Sequence, residues 1–281
     1  MLSRPFATPS DSPPSFSCAA LIKEIGRGAR GARSLARADA HRLYAAILAG
    51  EVSELELGAV LLAYRIKGES AEELAGMCDA ADAVVHKLDA VPGPAPVVIA
   101  SYNGARRQAN LVPLLALLLA RAGVPVLVHG IASDAGRVTT AEVFAALQVG
   151  AAPDIAAAQR ALAERRLAFV TIDTLAPALA AQLALRERLG VRNSAHTLVK
   201  LLQPFRQPAL RLVNYTHPPY RDVLMQYFTA VQPVAAPGVL LARGTEGEAV
   251  ADATLARETW WLRDGAAHTV IEAGARLAPE A

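Results

Sequence analysis

Residues 97–130 read VVIASYNGARRQANLVPLLALLLARAGVPVLVHG, and this stretch decides the fold. Val97-Val98-Ile99 is a short β-branched run, long enough for one buried strand. A polar turn follows at Ser101-Tyr102-Asn103-Gly104-Ala105-Arg106-Arg107, then a strongly apolar helix from about Asn110 to Ala122. Gly123 ends that helix, Pro125 bars its continuation, and Val126-Leu127-Val128 runs as a second strand into His129-Gly130. Strand, turn, helix and strand make a βαβ unit whose strands are parallel and connected right-handedly. In such a unit the turn after the first strand faces the ligand, and a helix N-terminus there offers free N–H groups to an anion. Asn103, Gly104 and two arginines occupy that turn, which points to an anionic partner.

The flanking sequence organises itself around this unit. Upstream, Ser53 with Glu56 and Ser70 with Glu73 make capping boxes, so helices open there, the second running to about Leu88. A further helix spans His41–Ala49 and stops at Gly50. Residues 17–90 therefore read as an α-helical domain, and Val91-Pro92-Gly93-Pro94-Ala95-Pro96 as a stiff linker. Downstream, helices are expected from Thr139 to Gly150, Pro153 to Arg166, Leu175 to Leu189, Ser194 to Leu202 and Pro218 to Val231. Strands are expected at Ala168–Ile172, Ala209–Val213 and Val239–Ala242, with a hairpin turning at Asp264-Gly265. This alternation gives an α/β domain over 97–174 and 204–281, with the helices near 175–203 completing the helical domain.

Composition bounds the function classes. The longest apolar run, Leu111–Ala120, contains Pro113 and is closed by Arg121, so no membrane partner is expected. Residues 1–16 are rich in Pro and Ser without an apolar core, which reads as a disordered tail rather than a secretory signal. Cys18 and Cys78 lack a metal-type spacing and read as reduced thiols of a cytoplasmic protein.

The net charge of +2 conceals segregation. Lys23, Arg27, Arg30, Arg33 and Arg37 face Glu24 alone, and Arg186, Arg188, Arg192, Lys200, Arg206 and Arg211 face Glu187 alone. Solvated helix faces are the ordinary explanation of a charge run, but such faces usually mix both signs. No carboxylate pair, Ser/His/Asp set or metal cluster stands out. Glu246 and Glu248 suit a cation or simply a turn; His129 and His196 suit catalysis or structural hydrogen bonding; Tyr102 suits stacking on a base or packing on the helix below.

The chain resembles anthranilate phosphoribosyltransferase and its nucleoside phosphorylase relatives (glycosyl transferase family 3). The matches are His129-Gly130, the Arg186, Leu189 and Arg192 spacing, and Leu198 with Leu201 to Pro204. It is more similar to the YbiB group of TrpD-like proteins, through Lys23–Gly28, Ser101–Arg106, Gly190–Leu198 and Gly244–Glu248. That resemblance implies a class III phosphoribosyltransferase-like fold with a mostly parallel sheet, a homodimer formed through the helical domain, and DNA-binding proteins rather than working transferases. The family's further C-terminal helices are expected to be missing.

Against the enzyme pattern, Ser101-Tyr102-Asn103-Gly104-Ala105 stands where a Gly-Thr-Gly-Gly-Asp loop would wrap a diphosphate. The family's magnesium-binding Asp-Glu pair falls on Glu246 and Gly247, and Arg186 falls where the enzyme holds anthranilate's carboxylate. Ser101, Tyr102, Asn103, Gly104, His129, Gly130, Arg186 and Glu246 thus form a degenerate substrate pocket, with no cofactor, metal or catalytic residue expected. The reading favoured is sequence-independent nucleic-acid binding, to DNA or RNA, along a groove of Lys23, Arg27, Arg30, Arg106, Arg107, Arg192 and Lys200, with Asn193 and Tyr102 as secondary contacts. The alternative is a pentosyltransferase acting on a ribose phosphate.

Overall fold

The computed structural model describes residues 16–28, 30–252 and 254–274. Residues 1–15 of the expected tail lie outside them; Phe16 itself packs against the core. The described residues begin with helices α1 (Ala19–Ile25), α2 (Arg37–Ala49), α3 (Glu54–Lys67) and α4 (Ala71–Asp82). There follow β1 (Val97–Ser101), α5 (Val112–Arg121), β2 (Val126–Gly130), α6 (Thr140–Ala146), α7 (Ile155–Arg165), β3 (Leu167–Thr171) and α8 (Ile172–Leu175). Helices α9 (Pro177–Leu189) and α10 (Ala195–Leu198) precede β4 (Leu210–Tyr215), α11 (Pro218–Gln226), β5 (Val239–Arg243), β6 (Thr259–Arg263) and β7 (Ala266–Ile271).

Among the described residues, seven strands form one sheet in the order β3-β2-β1-β4-β5-β6-β7. Pairing is parallel from β3 through β5 and antiparallel for β5–β6 and β6–β7. Every residue of β1 and β2 is buried, because both sheet faces are covered. Val97, Ile99, Val126, Val128, Leu167 and Phe169 pack with Val112 and Ala116 of α5 and Phe144 of α6 on one face. Val98, Ala100, Leu127, Ala168 and Val170 join the large core shared with the helical domain on the other. Helices α9 and α10 pack on α2 and α4, returning the chain to the helical layer.

Several helices are shorter than their sequence patterns imply, the one capped at Thr139 ending at Ala146 rather than Gly150. The helix opened at Ser70 stops at Asp82 rather than near Leu88, because backbone groups beyond it are taken elsewhere. His86 N donates to Leu175 O, Leu88 N to Pro204 O, and Arg206 N to Leu88 O. The Ser194–Leu202 helix contracts to α10, and the one from Pro218 gives way to a single π-helical turn at Tyr227–Val231. The hairpin turns at Asp264-Gly265 as expected.

Candidate functional site

Strand order reverses between β1 and β4, since the chain builds β2 and β3 on one side before crossing to β4 and β5 on the other. The carboxyl ends of β1, β2, β4 and β5 therefore meet at a switch point, where open α/β sheets form their crevice. Tyr102–Gly104 follow β1, His129-Gly130 end β2, Asn214-Tyr215 end β4, and Gly244–Glu248 follow β5.

The turn after β1 does offer its backbone N–H groups to anions, but the anions are the chain's own. Glu248 Oε1 accepts from Asn103 N at 2.8 Å and Gly104 N at 2.7 Å. Glu246 accepts from Arg106 N at 2.7 Å, Arg107 N at 3.0 Å and Gln108 N at 3.3 Å. Burial works against ionisation of Glu246, yet these amides and the Arg137 charge hold its pKa below the usual carboxylate value. Glu248 is buried and desolvation pushes its pKa up, against the opposing pull of Ser101, the two amides and Lys200. Gly247 must be glycine: its φ is +91°, and a Cβ would collide with the Asn103 side-chain amide that donates to Gly247 O at 2.6 Å.

Beside this plug lies a cleft of about 160 Å³ lined by Arg65, Arg192, His196, Lys200, Asn214 and Tyr220, among others. Burial drops the Lys200 pKa to about 8; its ammonium donates to Asn214 Oδ1 at 3.0 Å and Gly247 O at 3.2 Å. Burial and the Arg192 charge lower His196 to about 4, so its imidazole is neutral at pH 7. Arg192, half-buried, is destabilised as a cation by desolvation and by Arg186, Arg137 and Arg65, with Asp134 opposing. Among the described residues, Arg65, Arg106, Arg107, Arg137, Arg186 and Arg192 make no ion pair. Glu69, whose carboxyl group accepts from Ser194 Oγ at 2.5 Å, is an acid on the helical side.

Several residues singled out from sequence serve the scaffold instead. The Tyr102 hydroxyl bonds His129 Nδ1 and both side chains are buried, so neither is presented at the surface. Ser101 Oγ bonds Thr140 Oγ1 at 2.7 Å in the core. Asn193 lines the cleft but is largely buried, donating to Gln182 O at 2.7 Å and accepting from Ala195 N at 3.0 Å. Lys200 lines the cleft at the switch point, with its ammonium tied to Asn214 and Gly247. Arg27 pairs with Glu24, Arg188 with Glu54 and Arg206 with Asp89, and Arg211 donates to Leu201 O and stacks over Phe228. Lys23 and Arg30 are exposed, and no contact among the described residues joins them or Arg27 to the cleft. Arg106, Arg107 and Arg186 are exposed. Sequence reasoning passed over Arg65 and Arg137, which sit singly among mixed neighbours.

A magnesium diphosphate of the kind the family resemblance implies does not fit these residues. Gly247 supplies no ligand, Glu246 spends both oxygens and Glu248 its Oε1 on amides, and Glu248 Oε2 is buried. Among the described residues no group of three or more His, Cys, Asp or Glu could hold a metal, and no helix is long and apolar enough to cross a membrane.

Residues 19–83 match the helical bundle domain of the glycosyl transferase family. Among solved structures, the anthranilate phosphoribosyltransferase (TrpD) of Thermus thermophilus superposes with a TM-score of 0.70 at 23% identity, covering 89% of this chain and 72% of that one. The Saccharomyces cerevisiae enzyme in complex with PRPP and Mg gives 0.70 at 15% identity, covering 86% and 69%. The fold is thus that of the TrpD phosphoribosyltransferases. By sequence, the Methylobacterium radiotolerans anthranilate phosphoribosyltransferase is 35% identical over 64% of this chain and 50% of its own length. The chain spans about half the length of the transferases it matches in this way. The Escherichia coli K12 protein YbiB is 47% identical over 234 residues, 83% of this chain and 72% of that protein. The chain belongs to the YbiB family.

Proposed function

We propose that this protein binds nucleic acid through the phosphate backbone, without sequence preference, along the cleft between the helical layer and the carboxyl ends of the sheet. The observation carrying this reading is the set of arginines at and around the cleft, Arg65, Arg137, Arg186 and Arg192, that make no ion pair among the described residues. Burial first, and then Arg186, Arg137 and Arg65, work against the Arg192 charge. Arg106 and Arg107 extend the set along the loop that Arg137 touches, its Nη1 donating to Gly104 O at 3.2 Å. Like charges that are only partly opposed cost free energy that a polyanion relieves, and lysine or arginine contacts to phosphates carry most non-specific affinity. The cleft's roughly 160 Å³ is below the about 300–1,000 Å³ of ordinary small-molecule pockets, which suits an extended backbone better than an enclosed substrate. The decisive experiment is fluorescence anisotropy with labelled single- and double-stranded DNA and RNA at graded salt. A log–log slope of several units supports the reading; absence of binding at low salt removes it.

A second reading, transfer of a pentosyl group from a ribose phosphate, is favoured by the fold and by the transferases the chain matches. It predicts that phosphoribosyl diphosphate raises the melting temperature, whereas the nucleic-acid reading predicts no shift.

A second copy of the chain is the expected partner at the helical domain. Helix α3 exposes Leu55, Leu62 and Ile66 at 85, 50 and 69%, a stripe on one face whose burial a homodimer would provide. Light scattering of wild type and Leu62→Glu tests this: a dimer converted to monomer supports it, and a wild-type monomer ends it.

A further inference from the structure

Arg211 is the second residue of β4, in register with Val98 of β1 and Val239 of β5. Val213 and Tyr215, two and four places further on, belong to the core shared with the helical domain, so the strand's alternation sends the Arg211 side chain into that layer. The interior of a parallel strand covered on both faces ordinarily takes apolar residues, and an arginine brought into a core is ordinarily paired with an acid. Arg211 makes no ion pair among the described residues. Its guanidinium lies 5.2 Å from the Phe228 ring centroid and Nη1 donates to Leu201 O at 2.7 Å. Its other N–H groups have no hydrogen-bond partner among the described residues.

Arg211 lines a cavity of about 360 Å³, larger than the cleft and set towards the opposite, amino-terminal end of β4. That volume falls within the about 300–1,000 Å³ of small-molecule pockets. Helix α4 supplies Asp79 and Asp82 to its wall, and the π-helical turn supplies Tyr227. Single π-helical turns of this kind recur at functional sites. Both acids carry their own cations: Asp79 accepts from Arg37 Nε at 2.7 Å and Nη2 at 2.9 Å, and Asp82 accepts from Lys87 Nζ, which also donates to Gln203 O at 2.6 Å. Among the described residues, Arg211 is thus the charged lining residue left without a counterion.

We propose that this cavity binds a small aliphatic monocarboxylate, its carboxylate on the Arg211 guanidinium and its chain against Leu201, Leu202, Pro233 and Val234. The planar fork of an arginine matches a carboxylate with two parallel hydrogen bonds. One uncompensated cation calls for one negative charge, whereas a phosphate dianion would bring a second charge beside Asp79 and Asp82. A neutral ligand would leave the arginine desolvated and still unpaired, the arrangement that costs most. The site binds rather than reacts: burial pushes the neighbouring Cys78 thiol up to about 11, so it stays protonated at pH 7. Leu201 is the one residue common to the walls of cavity and cleft among the described residues, and the proposal does not rest on nucleic-acid binding.

Hexanoate, titrated calorimetrically, is the probe, with hexanamide as its neutral counterpart and inorganic phosphate as competitor. Wild type is expected to bind hexanoate saturably at millimolar or lower concentrations, and hexanamide at least about tenfold more weakly. Arg211→Met keeps the length of the side chain and removes its charge, and is expected to lose at least about tenfold in hexanoate affinity. Val234→Trp fills the cavity while leaving Arg211 in place, and is expected to lose as much. If Arg211→Met does not fold, the tryptophan variant decides by the same criterion. Four results each overturn the proposal: no saturable hexanoate binding, hexanamide binding as tightly, phosphate displacing hexanoate at equal concentration, or a folded variant binding hexanoate like wild type. Anisotropy with DNA on Val234→Trp reports the cleft separately.

Discussion

The Tyr102 hydroxyl lies 2.6 Å from Nδ1 of His129, with the rings edge to face at 5.4 Å and 71°. This pair links the end of β1 to the end of β2 inside the core. Burial lowers the His129 pKa from 6.5 to about 3, so the folded protein keeps the imidazole neutral where the unfolded chain protonates it. The unfolded state then binds more protons as pH falls below 6.5. The contribution of His129 is fully present above that value and is lost progressively towards pH 3, by up to about 1.4 kcal/mol per pH unit. His196, lowered to about 4, adds to the same slope. Urea unfolding of His129→Gln is expected to show a flatter dependence between pH 6.5 and 4 than wild type. Parallel curves would contradict a neutral buried His129.

Glu73 ties the helical domain together. Its side chain is 0% exposed and accepts from Leu35 N at 2.8 Å, Ser70 N at 2.8 Å and Lys67 Nζ at 2.6 Å. Removing one partner of a buried pair leaves the other charge and the amides unpaired, so Glu73→Ala should lose about 3–5 kcal/mol in urea unfolding. Glu73→Gln keeps an acceptor and should lose less. A loss under about 1 kcal/mol for the alanine variant would place the stability of this corner in apolar packing alone.

The βαβ unit, the capping at Ser70 and Thr139 and the final hairpin were legible because each rests on local chemistry: β-branched runs, Ser or Thr three residues before Glu, Asp-Gly between strands. At Ser53 only half of the expected box forms, Glu56 N donating to Ser53 Oγ while the Glu56 carboxylate accepts from Cys18 N. Charge was less legible. The runs at 19–37 and 186–211 look unopposed in sequence, yet Glu54, Asp79 and Asp89, from distant segments, neutralise Arg188, Arg37 and Arg206. Burial of Tyr102 and Asn193 was equally hidden, since a polar side chain in a turn reads as exposed until its partner across the fold is known. The anion preference of the turn after β1 was readable, but its occupation by Glu246 and Glu248 was not, because about 140 residues separate acid from amide.

Two glycines of the βαβ unit should respond differently to alanine. A Cβ on Gly130 would collide with the Ser101 carbonyl oxygen, so the paired ends of β1 and β2 must separate. Backbone cannot rotate aside as a side chain can, and Gly130→Ala should cost about 3 kcal/mol. Gly123, at φ +85°, has open space around its added Cβ, and Gly123→Ala should cost only about 1–2 kcal/mol of left-handed strain. Denaturant midpoints compare them directly; equal losses would mean that backbone conformation, and not contact, dominates at both.

The cleft reading ranks arginines by their lack of ion-pair partners rather than by their density in sequence. Arg192 is half-buried, without an ion pair among the described residues, and repelled by Arg186, Arg137 and Arg65. Arg27, by contrast, donates to Glu24 at 2.7 Å on α1. Charge reversal at Arg192 or Arg137 should each weaken DNA binding at least about tenfold and lower the salt slope by about one, as expected for a lost phosphate contact. Arg27→Ala should change affinity less than about twofold, since its charge is already opposed at an exposed pair. Anisotropy titrations at three salt concentrations separate the outcomes. Were Arg27→Ala the more damaging substitution, the nucleic acid would run along the N-terminal helix, and the cleft cations would be left for a small phosphorylated ligand.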